Sequence, residues 1–132
     1  MFYEVTLAVD KLNEKGEPKR CIEKYITDKM LFAEAEAIGL ALYNNECDVT
    51  AIKRSKISEI INNKEEDKPF FKAVVCTVIT NEDGSEKEVD SHILICEKDV
   101  KSATEKVVEY AKRNFGMELK SISRTKIVDF LK

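Results

Sequence analysis

Apolar and polar positions alternate at the start of the chain. Tyr3, Val5, Leu7 and Val9 fall on one side, and Glu4, Thr6, Ala8 and Asp10 on the other. A period of two is that of a strand with one buried face. After NEKGEPK the stretch CIEKYIT resumes the pattern, and Gly16 and Pro18 between them mark a hairpin loop. The same signals return later: FKAVVCTVI, then NEDGSEK with the hairpin dipeptide Asp83-Gly84, then VDSHILI. Gly16 and Gly84 lie 68 residues apart, as do Tyr3 and Phe71, so the two hairpins superimpose without a gap.

Each hairpin leads into a helical period. Leu31, Ala35, Ile38 and Leu42 form a stripe through FAEAEAIGLALYN, with Asp28 as the expected cap. In the second half Asp99 precedes Val100, Ala103, Val107, Val108 and Ala111, and Asn114-Phe115-Gly116 supplies the stop. DVTAIK and ELKSIS follow as third strands, and the polar stretch INNKEEDKP links the halves. The predicted fold is therefore α+β, a tandem duplication of a β-β-α-β unit. The first repeat covers residues 1–61, a linker 62–69 and the second repeat 70–132, in one shared globular domain. Its antiparallel sheets carry two helices about a pseudo-two-fold axis. A three-stranded unit with one helix buries a single sheet face, so two units are expected to combine. They would form either one six-stranded sheet with both helices on one face, or two three-stranded sheets sharing the helices as a core.

Both halves end alike, in IKRSKISEII and ISRTKIVDFL. Ile57 and Ile127 stand five residues after Ile52 and Ile122, which would put them on the wrong face of an unbroken strand, so the pattern must change at RSK and RTK. One solution is a short helical turn capped by Ser55 and Thr125. The other is a β-bulge that resets the phase of a continuing strand. Arg54-Ser55-Lys56 and Arg124-Thr125-Lys126, with Lys53, make a candidate anion or nucleic-acid site of cations, hydroxyls and helix-start amides. A capped turn with solvated charges explains the same residues without a ligand. Tyr3 and Phe71 are candidates for base stacking, with Lys53 and Lys72 beside them, and core or sheet-edge packing is the competing reading.

A net charge of −3 provides no global attraction to nucleic acid or acidic membranes, and 43% hydrophobic with 36% charged residues suits a packed, well-solvated protein. No apolar run has the length of a membrane helix and no basic region precedes the first apolar residues, so a cytoplasmic protein without membrane contact is expected. Cys21, Cys47, Cys76 and Cys96 are widely spaced, with no CxxC or CxxH pair, and are expected to be reduced thiols, those of Cys76 and Cys96 buried in strands. His92 is the sole histidine, and no phosphate-loop, dinucleotide or GxSxG motif occurs. No catalytic residue, metal or cofactor is implied. The expected role is binding: of single-stranded nucleic acid, of a protein or further copies of this chain, or of a small anion or nucleotide.

The strand YEV, the FAEAEA helix start, VTAIKRSKISEII, FFKAVV and SISRTKIVDFL together resemble the family of domain of unknown function 4494, over essentially the whole chain. The resemblance implies a cytosolic protein of Bacteroides-type bacteria or their phages, and no activity that can be carried over to particular residues.

Overall fold

The computed structural model describes residues 2–61, 68–113 and 117–132. The predicted stop at Asn114-Phe115-Gly116 and most of the linker lie outside the described residues. In chain order the elements are β1 (Tyr3–Leu12), β2 (Pro18–Thr27), α1 (Phe32–Ala41), β3 (Asp48–Arg54), β4 (Ile57–Ile61), β5 (Phe70–Thr80), β6 (Glu86–Cys96), α2 (Val100–Arg113), β7 (Met117–Arg124) and β8 (Ile127–Leu131). They form two compact units. Unit 1 is Met1–Lys56 with Lys126–Lys132, and unit 2 is Ile57–Thr125.

The fold is α+β with two four-stranded sheets, ordered β3-β1-β2-β8 in unit 1 and β4-β6-β5-β7 in unit 2. Neither the six-stranded sheet nor the pair of three-stranded sheets forms, and the sheets are mixed rather than purely antiparallel. The reason is the tails. β4 adds to β6 in parallel, and β8 adds to β2 in parallel. Each tail thus follows the third strand of one unit and becomes the edge strand of the other. The chain enters unit 2 between Lys56 and Ile57 and returns between Thr125 and Lys126. Of the two solutions for RSK and RTK, the helical turn does not form and the tails continue as strands, because their β-branched residues find a neighbouring strand to pair with.

Pairing in the two units follows one scheme. Tyr3 faces Thr27 in unit 1 and Phe71 faces Ile95 in unit 2, which is the same register at the 68-residue offset. The β1–β3 ladder slips between Thr6 and Leu7, and the β5–β7 ladder between Val74 and Val75. The parallel edges slip too, Ser58 and Val128 being the extra residues opposite His92/Ile93 and Lys24/Tyr25. Gly16 and Gly84 sit in the hairpin turns at φ 76° and 83°, where a side chain would be strained.

Each sheet has its own helix instead of sharing two. In unit 1, Ala35 of α1 packs with Val5, Leu7, Tyr25 and Leu131. In unit 2, Ala103 and Val107 of α2 pack with Phe71, Ala73, Val75, Ile93 and Ile95. The helices differ at their starts. Asp99 accepts the Ser102 amide at 2.7 Å and caps α2. Asp28 does not cap α1; the cap position is held by Leu31, which makes no side-chain cap hydrogen bond. Of the predicted α1 stripe, Ala35 is buried and Ile38 packs half-buried against the core, while Leu31 and Leu42 are exposed and Gly39 is buried in addition.

Candidate functional site

At the two crossings the hydroxyl residues act on the backbone. The Ser55 amide donates to the Phe2 carbonyl at 2.9 Å, and the Thr125 amide and hydroxyl both donate to the Phe70 carbonyl at 2.9 Å. These bonds anchor the end of the third strand to the start of the first, so the amides that an anion cradle would use are already engaged. Neither residue starts a helix. Lys53 lies 3.8 Å from Glu4, while Arg54, Lys56, Arg124 and Lys126 are exposed and form no ion pair among the described residues. Lys53, Arg54, Ser55, Lys56 and Lys126 belong to unit 1, and Arg124 and Thr125 to unit 2.

The aromatic candidates are cross-strand neighbours of the arginines, Tyr3 opposite Arg54 and Phe71 opposite Arg124. Phe71 is only 5% exposed and belongs to the unit 2 core, so its ring presents no open face to a base. Tyr3 is half-buried against the unit 1 core. The structure joins each aromatic to one arginine but leaves the stacking surface largely inside.

A feature that the helical-stripe reading missed stands on α1. Met30, Leu31, Phe32 and Leu42 are 83%, 62%, 55% and 42% exposed, and Ala33, Ala37 and Ala41 are also on the surface. FAEAEAIGLA carried the signal. Its two glutamates are separated by two positions, about 200° around a helix, so they cannot form one polar face. α2, by contrast, keeps Lys101, Glu105, Lys106, Glu109, Lys112 and Arg113 on its exposed side.

Unit 1 also contains a polar network. The Glu23 carboxylate accepts from the Lys11 ammonium at 3.0 Å, the Tyr25 hydroxyl at 3.2 Å and the Tyr43 hydroxyl, with the Lys11 ammonium 5.5 Å from the Tyr43 ring centre. At the 68-residue offset, Lys11, Glu23 and Tyr25 correspond to Ile79, Ser91 and Ile93, so unit 2 has no equivalent. The sequence signal was an acid between Cys21 and Tyr25 on the side of β2 that faces the helix. Burial pushes the Glu23 carboxyl up, but the hydrogen bonds from Tyr43, Lys11 and Tyr25 together hold it below its ordinary 4.5. Burial and the nearby Glu23 charge push the Tyr25 hydroxyl well up.

A carboxylate with a lowered folded pKa contributes stability that is present above its unfolded pKa and lost as pH falls through the folded one. Unit 1 is therefore expected to weaken as pH drops below 4.5. Glu23→Gln should cost about 1–3 kcal/mol at neutral pH, because its amide nitrogen cannot accept a hydrogen bond, and should flatten the acid slope. Urea unfolding at neutral and acid pH measures both quantities; an unchanged slope in the variant would remove Glu23 from the acid response.

In unit 2 an open groove of about 360 Å³ is lined by Ile61, Lys106, Glu109, Tyr110 and Arg113. Its charges are largely neutralised locally. Arg113 pairs with Glu109 at 2.6 Å, and the Tyr110 hydroxyl donates to Glu59, a bond that with burial pushes that hydroxyl up to about 12. His92 is half-buried, and its Nδ1 has no hydrogen-bond partner among the described residues. None of the four cysteines forms a disulfide among the described residues, Cys96 being buried and the others half-buried. Burial first, then nearby carboxylates, pushes the Cys47 and Cys76 thiols up, away from the thiolate form that reacts. Among the described residues no group of three or more His, Cys, Asp and Glu side chains could hold a metal, and no helix is long and apolar enough to cross a membrane.

These features describe an α+β protein with an apolar helix surface and two exposed pairs of cations. The whole chain, residues 1–132, matches the family described as a domain of unknown function (DUF4494), and the protein belongs to that family. No curated protein and no solved structure matches it.

Proposed function

We propose that this is a non-enzymatic binding protein whose α1 docks a partner protein. The observation that carries this is the exposure of Met30, Leu31, Phe32 and Leu42 on and beside a helix that buries Ala35 and Gly39 and packs Ile38 against its sheet. Residues 30–42 hold Glu34 and Glu36 and no Lys or Arg. The complementary surface is therefore an apolar helix face rimmed by lysine or arginine. Pairing α1 with α1 of a second copy would bring acid against acid, so the occupant is a different protein.

Leu31 provides a test that separates function from folding. Leu31→Asp supplies the missing N-cap and should raise stability by about 1 kcal/mol. The same change puts a charge into the docking surface. A short amphipathic Leu/Lys peptide, titrated by fluorescence anisotropy, should bind saturably to the wild type and about tenfold more weakly to Leu31→Asp and Phe32→Asp. A matched Leu/Glu peptide should not bind. Equal binding of both peptides, or binding unaffected by both substitutions, would refute docking at α1.

A second reading keeps nucleic acid as the partner, because Arg54, Lys56, Arg124 and Lys126 are exposed and form no ion pair among the described residues. It predicts salt-sensitive binding of single-stranded oligonucleotides that Arg54→Ala/Arg124→Ala weakens, measured by anisotropy at low and at physiological salt. Absence of binding at low salt would eliminate it. In either case the tandem β-β-α-β duplication is part of the proposal, supported by the registers and slips that recur at one offset. Binding would then be a property that unit 1 acquired by divergence, since α2 carries no such apolar surface.

A further inference from the structure

The edge strands β4 and β8 are recognised in the same way by two different units. Both pair in parallel, and both slip by one residue at the same place. Residues 51–60 and 121–130 share one sequence of buried, half-buried and exposed positions. The side chains match in class as well: Ile57 with Ile127 as the buried anchor, Glu59 with Asp129 outside, Ile60 with Phe130, and Ile61 with Leu131. Ile61 packs against the unit 2 core and Leu131 belongs to the unit 1 core. Each slot thus reads a short pattern, apolar-x-acid-apolar-apolar, through backbone pairing and two apolar anchors.

Within one chain, unit 1 already receives its edge strand from a segment whose preceding residues belong to unit 2. A second copy offers the same strand with the same chemistry. We infer that the β8 slot along β2 accepts β8 of a second copy, giving a strand-exchanged dimer. The contacts in the slot are identical whether β8 comes from the same chain or from another. The balance between monomer and dimer is therefore set by concentration and by the crossing at Thr125 and Lys126. That crossing is only two residues long and is fastened to Phe70 by both Thr125 bonds. Short connections of this kind are where exchange between copies arises.

The experiment uses the whole chain. Protein incubated at high concentration is diluted and followed by size-exclusion chromatography with light scattering, and two differently labelled preparations are mixed to detect hetero-dimers. The expected result is a dimer fraction that rises with concentration, forms slowly because β8 must first leave its own slot, and persists after dilution. A Gly-Ser-Gly insertion between Thr125 and Lys126 should lower that fraction several-fold without unfolding the protein, and Phe32→Asp should leave it unchanged. A monomer at every concentration would overturn the inference. So would a dimer that re-equilibrates at once on dilution, or one that Phe32→Asp abolishes. If only an insertion between Ser55 and Lys56 lowers the dimer fraction, the exchanged strand is β4 and the assignment to β8 fails.

Discussion

Gly39→Val is expected to destabilise unit 1 by about 2 kcal/mol or more, although valine is the residue at the matching position, Val107, in α2. An added Cβ at Gly39 would lie 3.0 Å from Val5 Cγ1 and 3.3 Å from Leu7 Cδ2, with Val49 Cγ2 at 4.0 Å. Val5 and Leu7 are completely buried, so their methyls have little room to retreat. Valine adds two further methyls to that contact. Its helix propensity exceeds that of glycine by less than about 0.5 kcal/mol, too little to offset the overlap. Gly39→Ala is the informative control: it adds the Cβ alone and gains up to about 1 kcal/mol of propensity, so it should be close to neutral. Urea unfolding with hydrogen exchange by mass spectrometry would place the loss in α1, β1 and β3. Equal stability of Gly39→Val and wild type would mean that α1 does not lie as close to its sheet as described.

This close seating accounts for the exposed surface of α1. A helix held this close by Ala35 and Gly39, with Ile38 half-buried beside them, has little room for further large side chains, so Leu31, Phe32 and Leu42 remain outside. α2 meets its sheet through Ala103, Val107 and Ala111, and its polar residues take the outer face. The contrast between the helices thus begins at one pair of positions, 39 and 107, and ends in a difference of surface chemistry.

The hairpins were legible because their signals are local: alternation at period two, a glycine at each turn, and a constant offset. The cap of α2 was legible for the same reason, Asp99 being three residues from the amide it serves. Asp28 looked equivalent, but it stands three residues before Leu31, the cap position, where its side chain cannot serve the first-turn amides. The α1 stripe held at Ala35 and Ile38 but not at its ends, Leu31 and Leu42, because periodicity locates a face without stating how near the sheet comes, and the closest approach selects small residues such as Gly39. The tails failed differently. Sequence showed that the phase breaks at RSK and RTK, yet the strand that receives Ile57 lies 35 residues further on, at His92, and no local pattern names a partner at that distance. The helix-start amides that would have added to the anion cradle are not formed, because the residues after RSK and RTK are strands. The network at Glu23 was hidden because Lys11, Glu23 and Tyr43 come from three separate elements or their ends.

The other large effect follows from the crossings. Leu131→Asp, at the far end of the chain, is expected to weaken β1 and β2, while Ile57→Asp, which follows β3 directly, should weaken β5 and β6. Leu131 is a member of the unit 1 core, and an unpaired carboxylate there loses hydration without gaining a partner. Removal of a leucine's buried contacts costs about 2–5 kcal/mol, and the charge adds to that. Ile57 is 5% exposed beside His92 and should behave alike. The pattern is opposite to sequence proximity, and for that reason it is decisive. Hydrogen exchange resolves it: faster exchange around β1–β2 for Leu131→Asp and around β5–β6 for Ile57→Asp supports the exchange of edge strands, whereas faster exchange in the sequence-adjacent unit refutes it. Thr125→Val, which loses the hydroxyl bond to Phe70, should cost about 1 kcal/mol. Arg124→Ala should stay within about 0.5 kcal/mol, since its side chain is exposed. A clear difference between those two neighbours would mean that the hydroxyl of the repeated RTK motif serves the joint, leaving the cation beside it free for surface contacts.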